Sequence, residues 1–379
     1  MALIKMKLNK RAALELSFNF IFAMIAAVVV FSIALAVINS VTKAAQSEKS
    51  LNLINQLSDS FSENLLEGGK SDVIQLSSNI LFTSSCDGIG FGEYLISTAN
   101  YPLFSPNNIK TNTLGISTKK ILMPNYISNS IYLYAPTKIY LYCEDCNELS
   151  KTPEIYFSLL RTVNSARLSS GKNIIEIEII GSDFVLTNEE LNILKKSNVL
   201  VLFLTEESNP QTLCSYFHCK SIKTKTLEDL ENFNNLRNTE LSDYPLGEIT
   251  FEENNYPFLG NEMLFGALIS NNITLYICNV EKILLGILRT AEINKKRLEI
   301  IEEELIEEPQ LSNPDCSMIY QDSKEAYSDL SEILLSILSQ LKNDIYPIDS
   351  DELMPILEKI ALISELNYNA TRYSCLSIY

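Results

Sequence analysis

Eight cysteines and one histidine are the residues of this 379-residue chain whose types and spacing could support chemistry. Cys143 and Cys146 have the CxxC spacing of zinc knuckles and of thioredoxin-like redox sites. A zinc site needs two further ligands, which the loop Cys214–Cys219 could supply through its cysteines or through His218. A thioredoxin-like motif opens a helix directly after a strand, whereas here the next helix signal comes only at Thr152-Pro153.

The alternative reading of the cysteines is structural. Their number is even and all of them lie in the part of the chain that we expect outside the cell, where cysteines form disulfides. Disulfides are therefore favoured over a metal site, and no cofactor is predicted. The cysteines are Cys86, Cys143, Cys146, Cys214, Cys219, Cys278, Cys316 and Cys375.

No set of residues in the sequence has the pattern of a catalytic site. A Ser-His-Asp triad would have to use His218, and no GxSxG motif or HExxH motif is present. Gly68-Gly69-Lys70-Ser71 matches the end of a phosphate-binding loop, but Asn64 occupies the position of its first glycine. The sequence therefore predicts that the chain is not an enzyme.

The charge of the chain is strongly asymmetric. It contains 47 acidic against 30 basic residues, a net charge of −17. Residues 1–43 carry a net charge of +4, so the remainder carries −21. A domain this acidic repels phosphate backbones, which excludes nucleic acid as an expected partner.

An uncharged apolar run of 23 residues follows the basic N-terminus, from Leu16 to Ile38. About 20 apolar residues in a helix span the hydrocarbon core of a bilayer. Lys and Arg before the run place residues 1–15 in the cytoplasm as a tail or leader, with the bulk of the chain outside the membrane. A cleaved secretory signal is the alternative, but its apolar region is usually shorter and ends at a small-x-small site. We therefore expect a single-pass protein of the cell membrane with a lipid-embedded helix over residues 16–38.

The helix is expected to continue beyond the membrane. Leu51, Ile54, Leu57, Phe61 and Leu65 recur at intervals of three and four residues, which predicts an amphipathic extension over residues 39–69. The glycine pair at 68–69 would end it.

The N-terminal arrangement resembles that of type IV pilin-like proteins, including the archaeal class with short basic leaders. The residues that carry the resemblance are Lys10, Arg11, Ala12 and Glu15, followed by the apolar run. The resemblance implies that a peptidase removes the leader and that an acidic residue near the new terminus pairs with the amine of a neighbouring subunit. Cleavage after Lys10 would make Glu15 the fifth residue, and cleavage after Ala12 would make it the third. A simple signal anchor is the alternative explanation of the same residues.

The segments beyond residue 69 predict a mixed α+β and α/β fold. A β-rich segment is expected over residues 70–150, because short β-prone runs alternate there with Gly, Pro and Asn. An α/β domain is expected over residues 151–255, where strands 173–180 and 199–204 flank a capped helix and form a βαβ unit with a parallel strand pair. Open α/β sheets bind ligands at the carboxyl ends of their strands, so Asp183 and Glu206 are weak candidates for a ligand site.

The last part of the chain, residues 256–379, predicts a helical unit of about three helices. Short connections make neighbouring helices antiparallel. Cys316 opens the second helix and Cys375 lies just beyond the third, so this geometry predicts a Cys316–Cys375 disulfide. Cys214 with Cys219, and Cys143 with Cys146, could each close a small loop.

The sequence thus favours a membrane-anchored structural or interaction protein of the cell envelope, such as a pilin-like subunit or an assembly component. Its expected partners are the lipid bilayer and other envelope or filament proteins, including further copies of itself. An anchored receptor that uses the α/β layer is the alternative, and an exported enzyme is a weaker one. Two sequons, at Asn272 and Asn369, are candidate glycosylation sites on the outside.

N-terminal sequencing of the protein isolated from membranes tests the resemblance. Pilin-like processing predicts a mature chain that begins at Arg11 or Ala13. A chain that retains Met1 would contradict processing and favour the simple anchor.

Overall fold

The structure is a computed structural model that describes twelve stretches of the chain. These are residues 52–63, 65, 71–123, 125–142, 174–180, 198–203, 214, 217–225, 246–251, 254–307, 314–342 and 350–375. The chain divides into two compact units, Met1–Ser58 and Asp59–Tyr379. Residues 52–63 are helical (α1), and Leu57 and Phe61 on this helix are buried.

The first of two sheets is built from residues 71–134. Its six strands lie in the order β3-β2-β1-β5-β6-β4, and all neighbours are antiparallel except β4 and β6. The strands are β1 (Ser71–Ser85), β2 (Gly88–Phe91), β3 (Tyr94–Ser97), β4 (Leu103–Phe104), β5 (Asn108–Leu122) and β6 (Tyr126–Tyr134). The central part of β6 is buried at every position from Asn129 onward, so both faces of the sheet are covered there.

The second sheet is mixed, in the order β12-β11-β10-β9-β7-β8. Strands β8, β7, β9 and β10 are parallel, whereas β11 pairs antiparallel with β10 and with β12. The strands are β7 (Thr137–Tyr142), β8 (Ile175–Ile180), β9 (Asn198–Phe203), β10 (His218–Lys225), β11 (Leu246–Phe251) and β12 (Asn254–Leu259). Parallel strands buried on both faces are continuously apolar, as Ile139–Tyr142 of β7 are.

Four helices follow the sheets: α2 (Gly260–Ile269), α3 (Ile273–Glu307), α4 (Pro314–Lys342) and α5 (Ser350–Arg372). The helix α4 lies antiparallel to both of its neighbours. On the α3 side, Lys324 pairs with Glu302, and on the α5 side the Nζ of Lys359 lies 2.5 Å from Asp329. The apolar faces of these helices join the residues of both sheets in one hydrophobic core.

The predicted N-terminal membrane helix is corrected by the structure, whose described residues form a mixed α/β fold with two sheets and five helices. None of the helices in those residues combines the length and the apolar character needed to cross a bilayer. The long ones are amphipathic, because one face packs on the core and the other carries charged side chains. The apolar run at residues 16–38 lies outside the described residues.

The predicted βαβ unit is also corrected. Strands β8 and β9 are parallel, as expected, but they are not neighbours, because β7 lies between them and pairs with both. The apolar composition of β7 gives the physical reason, since it can be buried on both faces at the centre of a sheet. The chain from residue 256 also begins differently from the predicted helical unit, with the end of strand β12.

Two glycines let the helices approach the first sheet closely. A Cβ on Gly266 of α2 would collide with the ring of Phe104 in β4, and a Cβ on Gly286 of α3 would lie 2.6 Å from the side chain of Ile127 in β6. Phe104 is fully buried and stacks on Tyr132, with 5.6 Å between the ring centroids. The ring therefore has no room to move away from α2.

Replacing Gly266 by Ala is expected to lower the free energy of unfolding by about 1–3 kcal/mol, the cost of overpacking a core. Denaturant unfolding measures this change. Ser317→Ala, on the exposed face of α4, is the control and should change stability by less than about 0.5 kcal/mol. A Gly266→Ala chain as stable as the parent would contradict the close packing of α2 on Phe104.

Candidate functional site

The carboxyl edge of the second sheet is where the sequence placed a ligand site. Strands β8, β7 and β9 end at the same level, because Tyr142 is the register partner of both Ile180 and Phe203. The order of the strands reverses at β7, and such switch points are where open α/β sheets bind ligands. Asp183 and Glu206 each follow the end of one flanking strand, but both lie outside the described residues.

The face of the second sheet that points away from the main core carries its own small apolar cluster. Tyr140 and Val201 are buried on this face, and Phe217 packs against them. The Cys214–Cys219 disulfide joins the same cluster, with 5.5 Å between the two Cα atoms. Its cysteines are therefore part of a covalent loop closure that covers the sheet.

The metal hypothesis gains no support from the described residues. No group of three His, Cys, Asp or Glu side chains in them is arranged to hold a metal ion. His218 is exposed at the start of β10, beside the disulfide-bonded Cys219. Cys143 and Cys146 lie outside the residues that the structure describes.

A small cavity lies between β12 and the helices α3, α4 and α5. It has a volume of about 10 Å³ and an apolar lining that includes Tyr276, Leu284 and Leu341. A space of this size holds at most one water molecule, and a water needs polar partners. This cavity is therefore a packing gap in the core and not a ligand site.

The most elaborate polar arrangement lies where the first sheet meets α3. Cys278 of α3 is bonded to Cys86, with 5.9 Å between Cα atoms and 192 residues between them in sequence. The next residue, Asn279, is fully buried, and its Oδ1 accepts a hydrogen bond of 2.7 Å from the backbone N–H of Leu103. Its Nδ2 donates to the carbonyl oxygens of Leu103 and Leu275, both at 2.7 Å. One amide side chain thus pairs with both backbone groups of a residue in β4, as a neighbouring strand would.

Lys282, one helical turn further along α3, binds the same part of the first sheet. Its ammonium donates to the carbonyl oxygens of Cys86, Thr98 and Tyr101. Burial lowers the pKa of Lys282, while the nearby carboxylate of Asp87 acts in the opposite direction. We call Cys278, Asn279 and Lys282 together the α3 clamp, because all three bind the backbone or the cysteine of residues 86–103.

A second lysine is buried between the second sheet and α2. The ammonium of Lys220 in β10 donates to the carbonyl oxygen of Ala267 at 2.6 Å, to that of Leu268 at 3.2 Å, and to that of Ser270. These carbonyls belong to the carboxyl end of α2, where helices lack internal hydrogen-bond donors. The ammonium also lies 4.2 Å from the centre of the Phe251 ring, in a cation–π contact. Lys220 therefore caps α2 from within the core.

Burial lowers the pKa of Lys220 to about 7. The carbonyl oxygens, the negative end of the helix dipole and the aromatic ring act in the opposite direction, since each stabilises the charged ammonium. These dipoles and the ring stabilise the ammonium form, but burial is the larger effect and the pKa of Lys220 stays lowered.

The third disulfide joins Cys316 at the start of α4 to Cys375 after the end of α5, with 5.6 Å between their Cα atoms. This is the pair that the antiparallel geometry of the helices predicts. Together with Cys86–Cys278 and Cys214–Cys219, it means that every cysteine in the described residues is disulfide-bonded.

The two sequons differ in their surroundings. Asn272 precedes α3, and its Oδ1 accepts a hydrogen bond of 2.9 Å from the N–H of Leu275, so it is the N-cap of that helix. Asn369 lies within α5, and the hydroxyl of Thr371 in its sequon donates to the carbonyl of Asn367 at 3.0 Å. Glycosylation at either residue stays a prediction.

The sequence reasoning missed the α3 clamp and Lys220. Asn279 had a visible signal, because it occupies the apolar stripe of α3 between Tyr276 and Ile283, at helical spacing of three and four residues. Lys220 and the buried Ile222 are two residues apart along β10, so both lie on the core face of the strand. A polar residue at a core position indicates that its side chain forms hydrogen bonds with other groups in the core.

Comparison of the chain with models of protein families, with curated proteins and with solved structures finds no match. The function of the chain is therefore inferred from its own residues and their geometry.

The protonation of Lys220 predicts a specific pH dependence of stability. The amine has a pKa of about 7 in the folded chain and 10.5 in its ordinary state. Between these values the unfolded chain binds more protons, so the free energy of unfolding should rise as pH increases from about 7 to about 10. Lys220→Met removes the titrating group, so the free energy of unfolding of the parent minus that of the variant should rise over this range.

Denaturant unfolding of both chains at several pH values measures that difference. Lys120→Met, at an exposed position of β5, is the matched control and should run parallel to the parent. A parent-to-variant difference for Lys220→Met that is flat across the range would contradict a lowered pKa.

Proposed function

We propose that the chain acts outside the cytoplasm as a structural or interaction protein of the cell envelope. The observation that carries the proposal is the set of three disulfides, which use every cysteine in the described residues. Disulfides persist in oxidising compartments and are rare in the reducing cytosol. The Cys86–Cys278 bond joins residues 192 apart in sequence, so it constrains much of the chain against unfolding.

A structural role is supported by what the buried polar side chains bind. Asn279 and Lys220 are both buried, and their hydrogen bonds go to backbone groups of the protein itself. Lys282, which is half buried, likewise binds three carbonyl oxygens. A catalytic group must instead reach a substrate. The hydrogen-bonding groups of these side chains are used within the protein, where they fix the positions of strands and helices.

The partners that we propose are other proteins of the envelope or of a filament. The resemblance of Lys10–Leu16 to pilin-like proteins supports a role as an assembly component. The acidic surface beyond residue 43, with its charge of −21, supports protein partners over nucleic acid.

A second candidate function is that of a ligand receptor. The observation that favours it is the reversal of strand order at β7, because ligands bind at such switch points. Native mass spectrometry of the purified chain tests this function. A small molecule that stays bound to the parent and is lost from an Asp183→Asn, Glu206→Gln variant would favour the receptor.

The location is tested by labelling thiols in intact cells. In the parent chain the three disulfides leave their six cysteines unreactive until a reductant is added. Cys214→Ser removes the partner of Cys219 and should add one reactive thiol, which a membrane-impermeant maleimide labels in whole cells. Cys316→Ser, which frees Cys375 in the same way, is the matched variant at another site.

Two results would contradict the proposal. Thiols of the described cysteines that react fully in the unreduced parent would remove the disulfides on which it rests. Labelling of Cys219 only after the cells are broken open would place the domain inside the cell.

A further inference from the structure

The helix α3 presents an exposed stripe along its carboxyl half. On one face of this half Asn294 and Leu298 are buried, and Glu302 on the same face pairs with Lys324 of α4. The residues on the opposite face recur at intervals of three and four positions and are all exposed. We call them the α3 stripe: Ile293, Lys296, Arg297, Ile300, Glu303 and Glu304.

Two large apolar side chains lie along the middle of the α3 stripe. Ile293 and Ile300 are seven residues apart, close to two full helical turns, so they lie on the same side of the helix. Their exposed fractions are 52 % and 55 %. Single exposed apolar residues are ordinary on a protein surface, but aligned apolar residues with charges along both flanks are typical of a helix that packs on another helix.

The charges of the α3 stripe are separated by sign along the helix. Lys296 and Arg297 precede Ile300, and Glu303 and Glu304 follow it. Residues seven positions apart on a helix share a flank, so Lys296 shares one flank with Glu303, and Arg297 shares the other with Glu304. Each flank therefore begins positive and ends negative, with Ile300 at the centre of the pattern.

These charges are not balanced within their own helix. No basic residue lies three or four positions from Glu303 or Glu304, and no acidic residue lies at those distances from Arg297. Oppositely charged residues at those distances are the ones that stabilise a helix. The two carboxylates also lie near the carboxyl end of α3, where the helix dipole disfavours negative charge. Within the part of the chain that the structure describes, no residue forms an ion pair with the four charged side chains of the α3 stripe.

We propose that α3 packs antiparallel against α3 of a second copy of the chain, about a two-fold axis beside Ile300. Such an axis brings the start of each flank against the end of the same flank in the other copy. Lys296 then faces Glu303 of the second copy, and Arg297 faces Glu304 of the second copy. Because symmetry repeats both contacts, four ion pairs surround the contact between the two Ile300 side chains.

The charge pattern decides both the partner and its direction. A parallel pair of the same helices would place like charges side by side at both ends of the α3 stripe, and like charges repel. An antiparallel copy supplies cations to the carboxylates that lack them in their own helix. The remaining acidic surface of two copies is mutually repulsive, so association requires a region of matched charge. This inference rests on the proposed function and deepens it, because it names a second copy as a partner of an interaction protein.

Disulfide trapping in the full-length chain tests the position of the axis. The overlap of the two helices is short, so the dimer should be weak and is best detected by trapping. Ile300→Cys places two thiols opposite each other, because facing Cα atoms of helices packed about 8–10 Å apart lie within disulfide range. Mild oxidation should convert this variant into a covalent dimer. Leu335→Cys, at an exposed apolar position of α4, is the matched control and should yield at least about ten-fold less dimer.

Charge reversal in the Ile300→Cys chain tests the ion pairs. Lys296→Glu with Arg297→Glu makes the α3 stripe wholly acidic, and Glu303→Lys with Glu304→Lys makes it wholly basic. Each of these chains alone should give at least about five-fold less dimer, because like charges then meet. An equimolar mixture of the two should restore the dimer, and this rescue distinguishes a lost contact from a lost fold. The yield from the unreversed Ile300→Cys chain should also fall as ionic strength rises, because salt screens exposed charges.

Three results would overturn the proposal. The first is a yield of dimer from Ile300→Cys that is no higher than the yield from Leu335→Cys. The second is a mixture of the acidic and basic chains that cross-links no better than either chain alone. The third is a link from Ile300→Cys to a different protein in whole cells, which would assign the α3 stripe to that protein. The first two results come from purified chains, so they are distinguishable from a failure of the extracytoplasmic location, which the thiol labelling of Cys219 decides.

Discussion

Pairing of buried backbone groups is the constraint on which the rest of the structure depends. The short strand β4 lies at the edge of the first sheet, under α3, where water cannot satisfy its N–H and C=O groups. Asn279 supplies both partners for Leu103 from the side chain of a helix. Lys282 donates hydrogen bonds to three carbonyl oxygens nearby. The Cys86–Cys278 bond fixes the distance between the helix and the sheet. The long helix α3 can therefore pack on the sheet without leaving polar groups unpaired.

The same solution recurs at α2. The carboxyl end of a helix leaves carbonyl oxygens without donors, and the end of α2 lies in the core beside the second sheet. Lys220 extends from β10 and donates to three of these carbonyls. Sheet and helix are thus joined by one side chain, and the dipoles that face the ammonium offset part of the cost of burying its charge. Both sheets depend on a polar residue placed at a core position.

The elements that sequence reasoning predicted well are those with strong local signals. The helices α3, α4 and α5 carry apolar residues at helical spacing, and the Cys316–Cys375 bond follows from the antiparallel packing of two of these helices. The strand order could not be predicted, because β7 pairs with strands that lie far along the chain. Nothing local distinguishes a strand of the first sheet from one of the second. The expected membrane helix rested on the length of an uncharged apolar run and on the basic residues before it, and that run lies outside the described residues.

The candidate sites also divide into features with a local sequence signal and features that depend on tertiary contacts. Disulfide bonding of the cysteines was visible in their even number, but the Cys86–Cys278 pair was not, because it depends on where α3 crosses the first sheet. The roles of Asn279 and Lys220 also depend on tertiary contacts, although their positions in apolar patterns gave a signal. The disulfides and the buried polar side chains together fix the positions of strands and helices relative to one another.

Hydrogen exchange at the backbone amide of Leu103 is the most direct measurement of the α3 clamp. Asn279→Leu keeps the shape of the side chain and removes both hydrogen bonds to Leu103. The structure predicts that this amide exchanges at least about ten-fold faster in the variant, and that the free energy of unfolding falls by about 2–5 kcal/mol, because two buried backbone groups lose their partners. Unchanged exchange at Leu103 together with unchanged stability would contradict the account.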